Sequence, residues 1–336
     1  MIIQLKEEIT FDQKDALTSL VDSLGYSTQA VSTRNSKYLV CIGTTDFDIR
    51  IVGSSPGVKD VHRVSDSYKL VSRKWKQQTQ VIKVGDAFIG GDEPVVMAGP
   101  CSIESEEQVV AIVNHLKRIG VHIMRGGVFK PRSSPYAFQG LGLPGLKMFH
   151  EVCHANGIAI VSEVMEIGQI DAMHPYVDIF QVGARNTQNF NLLRALGSVG
   201  RPVLLKRGIS GSIEELLQSA EYIFSSGNEE IMLCERGIRS FETAYRNTFD
   251  INAIPLLKQK SHLPVIADPS HGIGLREHVP AIALASVVAG ADGVIYEVHP
   301  QPERALSDGQ QTLNFDESRD LKRRIDALQN VLTMVL

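Results

Sequence analysis

Residues 264–272, PVIADPSHG, and 293–300, GVIYEVHP, each run an apolar segment directly into a charged or metal-binding side chain. Six segments of the same build precede them: PVVMAGP (94–100), VHIMRGG (121–127), IAIVSEV (158–164), VDIFQVGAR (177–185), PVLLKRG (202–208) and EIMLCERG (230–237). Continuous Val/Ile/Leu-rich runs of this length suit strands buried on both faces, as in a parallel sheet. Helical patterns lie between them. SEEQVVAIVNHLKRIG (105–120) has Ser105 placed as N-cap, and GLPGLKMFHEVCHANG (142–157) follows the second run. SIEELLQSAEYIFSSGN (212–228) has Ser212 as N-cap and Glu215 at capping-box spacing. Eight such alternations predict an α/β fold, a closed (β/α)8 TIM barrel. The Ala-rich AIALASVVAGA (281–291) reads as a buried helix within it.

Upstream, residues 1–65 read differently. IIQLKEE, the helical DQKDALTSLVDSLG, YSTQAVS, KYLVCIG, a weaker helix near 46–53 and VKDVHRV give the order β-α-β-β-α-β, a small ferredoxin-like α+β domain. Its expected role is regulatory: an effector sensor or an oligomer contact. Residues 66–92 form the join, a basic stretch followed by the hairpin-like VIKVGDAFIGG, with the only tryptophan, Trp75, expected to anchor the linker on the barrel. Residues 93–336 are then the catalytic barrel.

A net charge of −4 in 336 residues gives no reason to expect nucleic acid or an anionic membrane surface as partner. No apolar stretch reaches the ~18 residues that suggest a membrane span. The four cysteines, Cys41, Cys101, Cys153 and Cys234, lack disulfide-framework spacing. With no secretory pattern at MIIQLKEEIT, a reduced, cytoplasmic setting is expected.

Barrels carry their active sites at the carboxyl ends of the strands. Here those ends offer Cys101, Arg125, Glu163, Arg185, Lys206, Arg236, His271 and Glu297. Strands one, seven and eight become neighbours when the barrel closes, which brings Cys101, His271 and Glu297 together, with Asp308 in the loop beyond. Thiolate, imidazole and two carboxylates suit one borderline divalent ion, Mn, Fe, Co or Zn. Each alone has a bland alternative, such as a small core Cys or a His bonded to a loop carbonyl. Glu297 is the hardest to dismiss, because a carboxylate ending a buried strand must be paired or coordinated. Arg125, Lys130, Arg132, Arg185, Lys206 and Arg236 lie at or just past strand ends, and six converging cations call for bound anions. Gly183 and Ala184 leave room for backbone N–H groups to approach a phosphate. His299 has no assigned role, and the other histidines read as structural.

These same residues fall in AGPCS (98–102), GGVFKPRSSPYAFQGLG (126–142), QVGARN (181–186), LLKRG (204–208), IMLCERGIR (231–239), DPSHG (268–272) and EVHPQPERALSDG (297–309). In these motifs, and in YKLVSRKW (68–75) at the join, the chain resembles 3-deoxy-D-arabino-heptulosonate 7-phosphate (DAHP) synthases with an N-terminal ferredoxin-like domain. The resemblance implies metal-dependent condensation of phosphoenolpyruvate with erythrose 4-phosphate, the first step of the shikimate pathway. It implies metal ligation by Cys101, His271, Glu297 and Asp308. It places phosphoenolpyruvate on Arg125, Lys130, Ala184, Arg185, Lys206 and Arg236, with Gly183 beside them. The sugar phosphate falls on Lys130, Pro131, Arg132 and Ser133, where Ser133 stands in place of the family's Thr. Lys130 is the expected proton carrier, and Glu163 is expected to orient Lys130 or the attacking water. Feedback inhibition by tyrosine or phenylalanine and a homotetramer are further implications. The nearest rival is 3-deoxy-manno-octulosonate 8-phosphate synthase, disfavoured because Pro131-Arg132 directly follow Lys130. A non-catalytic regulatory barrel partnering another aromatic-pathway enzyme is disfavoured because the ligand and cation sets are complete.

Overall fold

The protein is described by a computed structural model covering residues 1–130, 134 and 136–335. The first strands are β1 (Ile2–Leu5), β2 (Ser27–Ser32), β3 (Lys37–Ile42) and β4 (Val58–His62). They form an antiparallel sheet in the order β2-β3-β1-β4. Helix Phe11–Ser23 opens with a capping box of Thr10 and Gln13, and the weaker helix covers only Arg50–Gly53. The β-branched, glycine-ended sequence there favours no longer helix. Strand periodicity splits the sheet's two faces. Ile3, Leu5, Leu39 and Cys41 pack with Leu17, Val21 and Val52 as the domain's own core. Ile2, Tyr38 and Val40 turn the other way and join the core of the barrel.

The join is pinned to the barrel rather than slung between bodies. Glu221, on helix Ile213–Ser225, accepts the Leu70 and Val71 backbone N–H groups at 2.9 and 3.0 Å. Trp75 donates to the Leu70 carbonyl at 2.8 Å. Its ring makes edge contacts with Tyr38 of the N-terminal sheet and with His262 of the barrel. Burial pushes the His262 imidazole down to about 3, so it is a neutral packing group here. The hairpin follows as β5 (Ile82–Val84) and β6 (Ala87–Ile89), with Gly85 at a left-handed φ of 56° in its loop.

The barrel strands are β7 (Val95–Gly99), β8 (Ile123–Arg125), β9 (Ala159–Val164), β10 (Ile179–Val182), β11 (Val203–Lys206), β12 (Ile231–Glu235), β13 (Val265–Ala267) and β14 (Gly293–Glu297). They are parallel and close through β14 to β7. Ser105 and Ser212 cap their helices, and Ser212 with Glu215 forms the capping box. Met97, Ile123, Val161, Ile179, Leu204, Met232, Ile266 and Ile295 fill the interior. Ile82, Val84, Ala87 and Ile89 of the hairpin belong to that same cluster, so the hairpin stoppers the amino-terminal floor of the barrel. The helix Val279–Val288 differs from expectation. Only one face is buried, and Ala281, Ala285 and Val288 are exposed, because the helix forms part of the outer ring of the barrel.

Candidate active site

Side chains alternate sides along a strand, so whatever lies two residues past an inward apolar residue also points inward. Ile123 leads to Arg125, Val161 to Glu163, Ile179 to Gln181, Leu204 to Lys206, Ile266 to Asp268 and Ile295 to Glu297. An apolar layer therefore carries a polar layer directly above it. The pocket over that layer measures ≈ 330 Å³; among its walls are Arg125, Lys130, Glu163, Lys206, Arg236 and His271.

On one side, ligand atoms of Cys101, Glu297 and Asp308 all lie within 4.8 Å of one another. His271 comes from the short helix Pro269–Ile273, and its Nε2 is 3.4 Å from Glu297 Oε1 and 3.8 Å from Asp308 Oδ2. Its Nδ1 faces Asp268 Oδ2 at 2.8 Å. That contact orients the ring so that Nε2 is presented to the carboxylates. Burial pushes His271 down, against the pull of Asp268 and Glu297, which favours the neutral imidazole that metals bind. Burial and the Glu297 carboxylate push the Cys101 thiol up to about 11, against the pull of Lys130. A thiolate there requires a strong nearby cation. For Asp308, burial acts upward but is outweighed by Arg246, then His271, so its carboxyl sits below the usual range. The donor set, one thiol, one imidazole nitrogen and two carboxylates, fits a borderline divalent ion.

On the other side lie the cations. Two of these cations already face carboxylates of the protein. Arg125 donates to Glu297 Oε1 at 3.0 Å and to the Pro100 carbonyl at 2.8 Å. Lys206 donates to Asp268 Oδ2 at 2.5 Å, both groups being buried. Burial lowers the Arg236 guanidinium from its ordinary value, and the group donates to the Gly237 carbonyl. Arg185, Gly183 and Ala184 line the same pocket. A Cβ at position 183 would lie 2.1 Å from Glu163 Oε1, so a side chain there would displace the Glu163 carboxylate.

Lys130 stands at the boundary between the two sides. Its Nζ lies 3.0 Å from both the carbonyl oxygen and the Sγ of Cys101. Glu163 accepts from Gln181 at 3.0 Å. Pro131, Arg132 and Ser133, expected at the sugar phosphate, lie outside the described residues.

Several residues were missed from sequence. Asp268 joins Lys206 to His271, and its carboxyl is held well below the usual range by His271 and Lys206 in spite of burial. Gln181, Asp268 and Glu163 share one register above the apolar layer, so the two-residue rule would have found the first two. Arg246 reaches from the loop after β12 to Asp308 at 3.4 Å and to Gln311 at 2.7 Å. Gln311 in turn donates to Glu297 Oε2 at 2.8 Å. Arg246 and Gln311 sit in loops without periodicity, where no such signal exists.

Residues 68–333 match the family described as the DAHP synthetase I family. The chain is 43% identical to the phospho-2-dehydro-3-deoxyheptonate aldolase of Thermotoga maritima, over 99% of this chain and 98% of that protein. It is 32% identical to the 2-dehydro-3-deoxyphosphooctonate aldolase of Syntrophotalea carbinolica, over 75% of this chain and 96% of that protein. The crystal structure of the Thermotoga maritima DAHP synthase superposes with a TM-score of 0.79 at 42% identity, covering 98% of this chain and 97% of that one. A truncated form of the synthase from the same organism covers 79% of this chain and 98% of its own, with a TM-score of 0.75 at 44% identity.

Proposed function

The chain belongs to the DAHP synthetase I family, and from that footing we propose that it condenses phosphoenolpyruvate with erythrose 4-phosphate and water, giving DAHP and phosphate. The observation that carries this reading is the meeting, in one pocket, of a metal-suited donor cluster and a set of buried cations, with Lys130 between them.

Cys101, His271, Glu297 and Asp308 hold one divalent ion, Mn, Fe, Co or Zn. When bound, such an ion supplies Lewis-acid polarisation of a carbonyl oxygen. Arg125, Arg185, Lys206 and Arg236, with Gly183 and Ala184, hold the phosphate and carboxylate of phosphoenolpyruvate. Lys130, Pro131, Arg132 and Ser133 hold the sugar phosphate. Carbon 3 of phosphoenolpyruvate attacks the aldehyde carbon, and Lys130 delivers a proton to the aldehyde oxygen as it becomes a hydroxyl. Glu163, fixed by Gln181, orients the water that adds to carbon 2, and the now neutral Lys130 takes up the proton that this water loses. The carbon 2–oxygen bond to phosphate then breaks.

The test is phosphate release from phosphoenolpyruvate with erythrose 4-phosphate or arabinose 5-phosphate, each with and without a chelator. Release with the four-carbon aldehyde, lost on chelation and restored by Mn²⁺, is expected. Release with arabinose 5-phosphate alone would instead assign the octulosonate reaction, and none with either aldehyde would favour a non-catalytic barrel.

Residues 1–65 we read as a regulatory domain that binds tyrosine or phenylalanine and covers the mouth of a barrel within a homotetramer. We place the reaction in the cytoplasm; among the described residues no helix is long and apolar enough to cross a membrane. Residues 66–92 belong with the barrel body, because Leu70 and Val71 are fully buried and the hairpin fills the floor. Removing residues 1–65 while retaining that join is therefore expected to leave turnover in place and to abolish inhibition by the amino acid. Assays of the truncated protein across a tyrosine and a phenylalanine titration check this, and persisting inhibition would remove the domain from regulation.

A further inference from the structure

The loop 298–307 starts right after Glu297 and ends right before Asp308, so both of its ends are candidate metal ligands. Facing it is the segment that starts at Cys101. The two segments are joined side by side: Cys101 Sγ donates to Asp308 Oδ2 at 3.3 Å, Ser102 Oγ meets Ser307 Oγ at 2.5 Å, and Glu104 Oε1 accepts the Leu306 backbone N–H at 2.9 Å.

Glu104 reaches the other end of the loop as well. His299 is buried, and its Nδ1 accepts the Gln301 backbone N–H at 2.9 Å. The ring proton of a neutral imidazole is then on Nε2. Among the described residues that nitrogen has no hydrogen-bond partner, and Glu104 Oε2 lies 3.5 Å from it. One carboxylate thus faces both the beginning and the end of the loop. Its own segment is fixed too, since Gln108 accepts the Glu104 backbone N–H at 3.0 Å and donates to the Ser102 carbonyl at 3.2 Å.

Asp308 is where this matters. It is the one non-glycine residue with positive φ among the described residues, at 53°. Such a backbone is sparsely populated and persists when its surroundings over-determine it. Thr312 Oγ1 donates to the Asp308 carbonyl at 2.8 Å and Arg276 donates to the Gly309 carbonyl at 3.1 Å, fixing the far side. The near side is fixed by Ser307 and by Glu104.

We propose that Glu104 is a positioning residue for the metal centre: it clasps the loop 298–307 and so presets the spacing of Cys101, Glu297 and Asp308. His299, left without a role by the sequence, is the second half of that clasp. This inference rests on the reading of those residues as metal ligands.

Titration of the metal-free full-length protein with Co²⁺, read by the thiolate-to-cobalt absorption, tests it. Glu104→Ala is expected to weaken Co²⁺ binding by about 10–100-fold, the usual effect of losing an outer-shell partner. The absorption band should survive at saturation, because Cys101 is untouched, and phosphoenolpyruvate affinity of the metal-free protein should not change. Glu104→Gln keeps an acceptor for Leu306 and should recover part of the loss. Glu104→Asp, which keeps the charge but shortens the reach to Leu306 and His299, carries the test if Glu104→Ala fails to fold. Co²⁺ affinity equal to that of the unaltered chain in the folded variants overturns the clasp alone. An unaltered chain that binds no Co²⁺, or binds it equally after Cys101→Ala, overturns the metal reading and the clasp with it.

Discussion

Lys130→Met is expected to lower turnover by about 10²–10⁴-fold, the range that a positioned proton carrier contributes. Methionine preserves the length and apolar stem of the side chain while removing the ammonium that lies 3.0 Å from Cys101 Sγ. Metal content at saturating metal should be retained, since Lys130 donates no ligand atom to the cluster. The informative comparison is therefore steady-state turnover beside metal content measured on the same preparation. Full metal with lost turnover fits proton transfer at the boundary between the two halves of the site. Loss of both would make Lys130 a guardian of the Cys101 thiolate, and substantial retained turnover would remove it from the chemistry.

Asp268→Asn should have the largest effect on stability and should disturb both halves of the site together. The carboxylate accepts from Lys206 at 2.5 Å and contacts His271 Nδ1 at 2.8 Å, with Asp268 and Lys206 buried and His271 partly so. Removing one partner of a buried ion pair costs about 3–5 kcal/mol, because the remaining charge is left uncompensated. The amide also turns a donor toward a donor on one side. Metal affinity is expected to fall by about 10–100-fold, as for other lost partners of a metal-binding His. The KM for phosphoenolpyruvate should rise in parallel through Lys206. Urea unfolding and phosphoenolpyruvate kinetics check these two outcomes separately. A variant with unchanged unfolding and unchanged KM would show that Asp268 does not couple the two sides.

The barrel was legible because its strands are buried on both faces and therefore spell continuous apolar runs. Their polar ends were legible for a related reason: inside an apolar interior, a charged residue at a strand end is conspicuous. The same physics explains what was missed. A sequence does not show that Glu297 and Asp268 sit opposite Arg125 and Lys206 across strand boundaries. Asp268 lay in plain view within DPSHG, and only the two-residue register separates it from an ordinary helix cap. Arg246, Gln311 and the Glu104 clasp depend on loop paths, which no periodicity encodes. The N-terminal sheet was legible strand by strand, whereas its docking through Tyr38, Trp75 and His262 depends on long-range packing.

The hairpin beneath the barrel has a consequence for the order of events above it. A cylinder stoppered at its floor is a cul-de-sac, and everything that reacts inside must pass one doorway twice. On the assignment proposed above, a reactant held by the buried Lys206 and Arg125 would lie deeper than one held at the partly exposed Lys130, and the deeper guest is expected to be seated first. A cover over that doorway halts arrivals and departures alike, without touching a single reacting atom.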